Sequence, residues 1–231
     1  MAHRAPFHRF AVPLPRKRGR KTGYAPRMIE FWYEFASTYS YPAAMRVQRL
    51  ADAAGVSVRW RPFLLAPIFH AQGWNDSPFN IYPVKGAYMW RDLERICAKD
   101  GLPLKLPPFR FPQNGLKAAR LALAGEKDGW TGAFTRAVYT ANFGEQRDIT
   151  DEDLLRSLVK RAGGDADAAW SQANTPEIKD ALKAQTDEAI QRGIFGAPSF
   201  AVGDELFWGN DRLEDAVAWA KMGTLGTAAQ T

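Results

Sequence analysis

Phe31-Trp32-Tyr33-Glu34-Phe35-Ala36-Ser37-Thr38-Tyr39-Ser40-Tyr41-Pro42 runs from an apolar, aromatic segment of strand character into a short polar turn. A helical pattern follows at once, with Ala43, Ala44, Met45, Val47 and Leu50 recurring at mixed three- and four-residue spacing. Ser37, Thr38 and Ser40 lie at that junction, and each is a good helix N-cap residue. A hydroxyl placed there faces unpaired backbone N–H groups and the positive end of the helix dipole, an arrangement that can hold an anion, a thiolate included. An ordinary capping serine fits the same residues, so this stretch alone leaves both readings open.

Working outward, residues 29–35 read as a buried strand and the helix runs to about residue 54, where Gly55 closes it. Residues 56–63, VSVRWRPF, alternate as a second strand. Strand–helix–strand predicts a parallel pair with a right-handed crossover. From Leu64 the pattern turns helical, with helices expected over about 84–99, 115–126, 130–144, 151–162, 165–172 and 176–192. Loops rich in Pro, Gly and Asn fall at 73–83 and 101–114, while DITDE (148–152) and NTPE (174–177) look like helix starts. Strand character returns at 200–202, separated from 205–208 by Gly203 and Asp204, a hairpin signature. Residues 210–212 then cap a last helix over 213–222, and the remainder is expected to fray.

This order predicts an α/β chain of thioredoxin-like fold, with a large all-helical domain inserted between the βαβ and ββα halves. Residues 28–63 and 194–223 are expected to form the thioredoxin-like domain, and 64–193 the insert. With 231 residues, 46% of them hydrophobic, the chain can bury a full core as one large domain or two intertwined ones. It has no run of about 18 apolar residues, so no membrane span is expected. A single cysteine, Cys97, excludes an internal disulfide framework and a Cys-x-x-Cys pair. It shares a helical face with Leu93 and Ile96 and reads as a buried structural thiol, and a reducing cytoplasm is the expected location.

The net charge of +6 is a property of one end. Residues 1–27 hold eight of the 31 Lys and Arg residues and no acid, which leaves 23 basic against 25 acidic residues, a net charge of −2, for the rest. The leader mixes Pro, Arg and Gly without a usable period and reads as a basic disordered tail. Pro13 and Pro15 argue against a signal peptide or an amphipathic transit helix. Its RKRGRK run also fits nucleic-acid binding, and a natural start at Met28 would remove the leader altogether. A slightly acidic domain makes nucleic acid an unexpected partner.

Gly196-Ala197-Pro198-Ser199-Phe200 sits between a helix end and a strand, where a cis Ala197–Pro198 bond and a plain trans turn are both open. In a thioredoxin architecture such a bond faces the N-terminus of the first helix, with backbone groups beside it free to pair with an extended peptide.

FWYEFASTYSYPA (31–43), RPFLLAPIF (61–69), PVKGAYMWRDLERIC (83–97) and GIFGAPSFAVGDELFWGNDRLEDA (193–216) closely resemble the 2-hydroxychromene-2-carboxylate isomerases. That family stands with the kappa-class glutathione transferases in the DsbA-like branch of the thioredoxin superfamily. The likeness covers nearly everything from Met28 to about Met222, and not the leader. It implies glutathione as cofactor and an aromatic or enone small molecule as substrate, with no metal. Ser37 aligns with the serine that holds the glutathione sulfur, where redox relatives have a nucleophilic cysteine, and Ser40 stands at the resolving position. Serine at both excludes dithiol exchange, but a hydroxyl can donate to a glutathione thiolate and lower its pKa together with the helix dipole. Ala197, beside Pro198, would pair its backbone with the glutathione peptide. Asn210 and Asp211 resemble the residues that receive the γ-glutamyl end, although Asp211 also reads as an N-cap. Asn75 and Lys85 match an Asn and a Lys that meet glutathione from the helical domain, Lys85 pairing with the glycyl carboxylate as a point charge.

Two departures stand out. Many family members have proline where Thr38 stands. Some carry a lysine near substrate where His70, the only histidine outside the leader, stands here. Its ring can act as an acid or base or be a plain loop histidine. Trp74, Phe79, Tyr82, Tyr88 and Trp90 are expected to help wall an apolar pocket between the domains. In the mechanism the family implies, thiolate adds reversibly to a conjugated enone, the former double bond rotates, and elimination releases the trans isomer without consuming glutathione. Rival readings are a kappa-like glutathione S-transferase and a non-redox DsbA-like protein that binds thiols or peptides. Dimers are common in the superfamily, so a homodimer fits, with no interface patch legible.

Overall fold

The computed structural model describes residues 28–222, so the expectations for the basic leader and for 223–231 lie outside the described residues. β1 (Met28–Tyr33) pairs in parallel with β2 (Ser57–Pro62), Phe31 opposite Trp60. β3 (Ser199–Val202) lies antiparallel on the other side of β1, Phe31 opposite Phe200, and β4 (Glu205–Trp208) completes the order β2-β1-β3-β4. α1 (Ser40–Ala54) makes the crossover from β1 to β2 and ends on Gly55, whose φ of 67° gives the left-handed C-cap. α10 (Leu213–Met222) follows a 3-10 turn at Asn210–Arg212.

Between β2 and β3 lie α2 (Leu65–Ala71), α3 (Pro78–Ile81), α4 (Pro83–Asp100), α5 (Leu116–Ala124), α6 (Thr131–Tyr139), α7 (Glu152–Arg161), α8 (Ala166–Ala173) and α9 (Pro176–Gln191). This is the thioredoxin-like arrangement, with helices between its βαβ and ββα halves. All six helices expected in that span form. α3 falls in a stretch expected as loop, where Ser77 accepts the Phe79 N–H (3.3 Å) and Pro78 opens the turn. Asp151 caps α7 by accepting the Leu154 N–H (2.8 Å), and Thr175 caps α9.

Strand alternation divides the core. Ile29, Phe31 and Tyr33 face α1 and α10, and they share one continuous buried cluster with Leu121, Phe134 and Leu158 of the helical segment. The Phe31 ring stacks between Tyr33 and Phe200 at centroid distances of 5.0 and 5.3 Å. Trp32 points the other way, into a smaller cluster with Phe63, Ile68, Ala189 and Ile194 under α2 and α9. Cys97 is buried, as its helical face requires, and burial pushes its thiol up to about 11.

β1 ends two residues before the sequence pattern does, at Tyr33 instead of residue 35. Phe63 N–H still reaches the Tyr33 carbonyl (3.0 Å), but the next carbonyl, that of Glu34, accepts the Ser37 N–H (2.9 Å) and closes a turn. The last ladder bond and the first turn bond are therefore made by adjacent carbonyls. That abrupt change aims residues 34–39 out of the sheet and into a cleft.

Candidate functional site

The turn is held from the helical side. Tyr139, at the end of α6, donates to the Glu34 carbonyl (2.8 Å), and its neighbour along the helix, Thr135, bonds the Tyr33 hydroxyl (2.8 Å). α6 runs on into a π turn at Thr140–Gly144, which presents Asn142 to the Phe35 carbonyl (3.2 Å). The Asn142 amide oxygen in turn accepts from Gln113 (2.8 Å), whose own Oε1 accepts the Ile149 N–H (2.9 Å). These bonds satisfy the carbonyls that leave the ladder and tie the turn to two loops of the insert.

Ser37 sits at the tip. Its Oγ accepts the Ser40 backbone N–H (3.3 Å) and the Ser40 hydroxyl (2.9 Å), and donates its own proton to the Ala197 carbonyl (2.9 Å). Ala197 precedes Pro198 through a cis bond. The helix proper begins at Ser40 with Tyr39 as its cap and no side-chain cap bond, so Ser37, and not a residue adjoining the helix, takes the Ser40 N–H. Tyr41 N–H bonds the Thr38 carbonyl (3.2 Å) and Pro42 has none to offer. The first-turn donors are thus engaged, which leaves the Ser37 hydroxyl and the dipole field as what α1 presents. Ser37 bonds no imidazole, amine or carboxylate among the described residues, so it has no base to make it a nucleophile. It is built as a hydrogen-bond donor. The neighbouring Thr38 is 1% exposed, and its hydroxyl has no hydrogen-bond partner among the described residues.

The cleft in front of Ser37 measures about 750 Å³. The turn at 34–39, α2, α3, the start of α4, the 111–116 loop and the Gly196–Ala197 backbone enclose it. Of the residues singled out in the sequence, Ser37, His70, Asn75, Lys85 and Ala197 meet there, although they span 160 positions. His70 lies in the last turn of α2, Asn75 in the loop after it, and Lys85 in the first turn of α4, its Nζ 5.6 Å from the Phe79 ring centroid. All three side chains are exposed at the rim. Pro198, Asn210 and Asp211 are not in the lining. Pro198 is buried behind Ala197. Asn210 is 8% exposed, and its Oδ1 accepts from Arg46 of α1 (2.9 Å), which also binds Glu214 and Asp100. Asp211 is exposed beside Arg212 (3.6 Å).

Trp74, Phe79 and Tyr88 line the cleft as expected, but Tyr82 and Trp90 do not. Tyr82 is exposed just ahead of α4. Trp90 lies about two turns into that helix and packs edge-on against Phe111 with centroids 4.8 Å apart. Phe195 and Trp208, their rings tilted against each other with centroids 4.8 Å apart and half exposed, supply further aromatic wall that the sequence does not announce. The rim depends on a close approach of α3 to α4. A Cβ on Gly86 would sit 2.2 Å from the Phe79 carbonyl oxygen, a backbone atom that cannot swing aside. Gly86→Ala is expected to cost roughly 1–3 kcal/mol in a urea titration and to displace Phe79 from the cleft wall.

Glu34 is the residue sequence reasoning missed. It lines the cleft, is only 9% exposed, and accepts the Ala36 N–H at 2.9 Å. Burial pushes its carboxyl up to about 8, against the opposing pull of that N–H. The available sign was an acid inside an otherwise apolar and aromatic run.

Residues 28–218 match the family model of the DSBA-like thioredoxin domain. The 2-hydroxychromene-2-carboxylate isomerase of Sphingobium xenophagum is 34% identical over 189 residues, spanning 81% of this chain and 95% of that protein. Human glutathione S-transferase kappa 1 is 25% identical, over 83% of this chain and 90% of its own. A solved structure of 2-hydroxychromene-2-carboxylate isomerase superposes with a TM-score of 0.72 at 29% identity, covering 80% of this chain and 90% of that one.

Proposed function

The chain belongs to the 2-hydroxychromene-2-carboxylate isomerase family of DSBA-like thioredoxin proteins, and from that membership we propose that it is a glutathione-dependent isomerase of aromatic, conjugated enones. The observation that carries the proposal is the Ser37 hydroxyl, saturated by Ser40 as an acceptor and free to redirect only its proton. When the backbone N–H of a bound peptide takes the Ala197 carbonyl, the Ser37 proton turns to the sulfur and holds it as thiolate. The thiolate adds to the enone, the bond rotates, and elimination returns the thiolate. Ala197 beside Pro198 supplies the backbone pairing, Asn75 and Lys85 meet the glycyl end, and Asn210 and Asp211 receive the γ-glutamyl end. Arg46 occupies the Asn210 oxygen, so that amide offers its N–H donors, and Asp211 offers the carboxylate for the ammonium. His70 stands at the rim on the substrate side.

The test is calorimetric titration of the whole chain with glutathione, followed by product analysis with an aromatic cis-enone. Binding and recovery of the trans isomer with glutathione unconsumed are expected. No binding at millimolar glutathione sinks the reading, and a stable thioether product makes the chain a transferase instead. Lys85→Met is expected to weaken glutathione by about fivefold at low salt and by less at high salt, because an exposed ion pair contributes only about 1 kcal/mol and is screened.

A further inference from the structure

The glutathione reading above gives Glu34 no role, yet it is a carboxyl set in the lining of the cleft. Its side chain folds back on its own turn, one oxygen accepting the Ala36 N–H at 2.9 Å. The other faces Gly115, where a Cβ would lie 3.0 Å from it and 2.8 Å from the Phe35 Cβ. A glycine at 115 therefore makes the room that the carboxyl occupies. Leu64, Leu65 and Phe69 make much of the facing wall apolar. No Lys, Arg or His pairs with the carboxyl among the described residues. The other charged and titratable groups that share the cleft are Tyr39 of the same turn, whose hydroxyl donates to Asp92 (3.0 Å), His70 of α2, Asp76 ahead of α3, and Lys85 and Tyr88 of α4. From α6, Tyr139 bonds the Glu34 backbone and not its side chain. An uncompensated carboxyl so placed keeps its proton at neutral pH.

We propose that Glu34 is the proton donor and acceptor of the isomerisation, giving its proton to the substrate oxygen on which charge develops when thiolate adds, and recovering it on elimination. The inference rests on the isomerase reading above. In the forward half, the C–S bond forms, the alkene pair moves to make an enolate, and the carbonyl pair passes to oxygen. The Glu34 O–H bond breaks toward that oxygen, leaving an enol and a carboxylate. After rotation about the new single bond, the carboxylate removes the enol proton and the carbonyl reforms. As it does so, the enol carbon–carbon pair moves back to remake the alkene, and the C–S bond breaks with its pair returning to sulfur. No oxidant or reductant enters, and glutathione and Glu34 both end as they began. A neutral donor suits this step because transition-state charge is neutralised in an apolar wall, where it would otherwise be costly.

The experiment compares wild type with Glu34→Gln, which keeps an acceptor for the Ala36 N–H but has no acidic proton. Infrared difference spectra against pH, without glutathione or substrate, read the carbonyl band of the neutral acid directly. A wild-type band that fades on going through about pH 8, and is missing in Glu34→Gln, is expected. With glutathione and cis-benzylideneacetone as probe, Glu34→Gln is expected to lose about a hundredfold in kcat. The ultraviolet absorbance of bound thiolate should stay unchanged, and the alkaline fall of the wild-type rate should disappear. No neutral-acid band at pH 7, or equal rates with the band present, overturns the proposal. A wild type that neither binds glutathione nor turns over the probe overturns the isomerase reading itself, and the role of Glu34 falls with it. The calorimetric and infrared arms distinguish that case from a failure of Glu34 alone.

Discussion

Ser37→Ala is expected to raise the pKa of bound glutathione by about one to two units and to slow isomerisation by roughly ten- to a hundredfold at neutral pH. A hydrogen bond to a charged acceptor contributes about 1.5–3 kcal/mol, and each pKa unit corresponds to about 1.4 kcal/mol. The geometry makes this substitution unusually clean. Ser37 Oγ is held by the Ser40 N–H and hydroxyl, and its only mobile feature is the proton now on the Ala197 carbonyl. Alanine removes that proton and leaves the Ala197 carbonyl open to the peptide N–H, with Lys85 and the α1 dipole in place, so affinity for the peptide part of glutathione should fall much less than thiolate content. The lost bonds from Ser40 should lower stability by about 1 kcal/mol. Thiolate absorbance against pH, with calorimetry on the same samples, separates the two effects. An unchanged thiol pKa in Ser37→Ala would mean that the hydroxyl only caps α1.

What could be read from residues alone follows from the range of the forces involved. The junction at 37–40 and the Gly203-Asp204 hairpin are local, and strand alternation and turn chemistry declare them. The meeting of Ser37 with Ala197 needed the order of elements as well, because right-handed crossover and hairpin pairing bring the two ends of the chain beside β1. Glu34 escaped because nothing local buries an acid. Its environment is made by Gly115 and by the turn that α6 fastens, more than a hundred residues away in the case of Tyr139. Asn210 shows the same limit from the other side. Its position beside Asp211 fits a ligand site, but Arg46, on a different helix, has already taken its oxygen. Trp90 failed as a cleft residue on helical phase, which turns it onto Phe111, and Tyr82 because it stands ahead of α4 in extended conformation, outside the period altogether. α3 has only four residues, too few for a period to show.

The stability of the folded chain should fall as pH rises from about 5 to about 8, by roughly 1 kcal/mol per pH unit attributable to Glu34, and Glu34→Gln should remove that slope. The sign follows from proton counts. Burial raises the Glu34 carboxyl from the ordinary 4.5 to about 8, so across that window the folded chain keeps a proton that the unfolded chain has released. Raising the pH then favours the state with fewer protons, which is the unfolded one. The contribution is whole below about pH 4.5, declines through neutrality, and is gone above about pH 8, where the folded carboxyl ionises too. Glutamine, uncharged throughout and able to accept the Ala36 N–H, mimics the neutral acid without the linkage. The difference in unfolding free energy between Glu34→Gln and wild type, from urea titrations at several pH values, should therefore grow in favour of the variant until about pH 8 and then level. A difference that stays flat with pH would show that the folded carboxyl is already ionised at neutrality, reached by water or by a cation. In that case the cleft floor would repel a thiolate and a developing enolate instead of giving a proton to either.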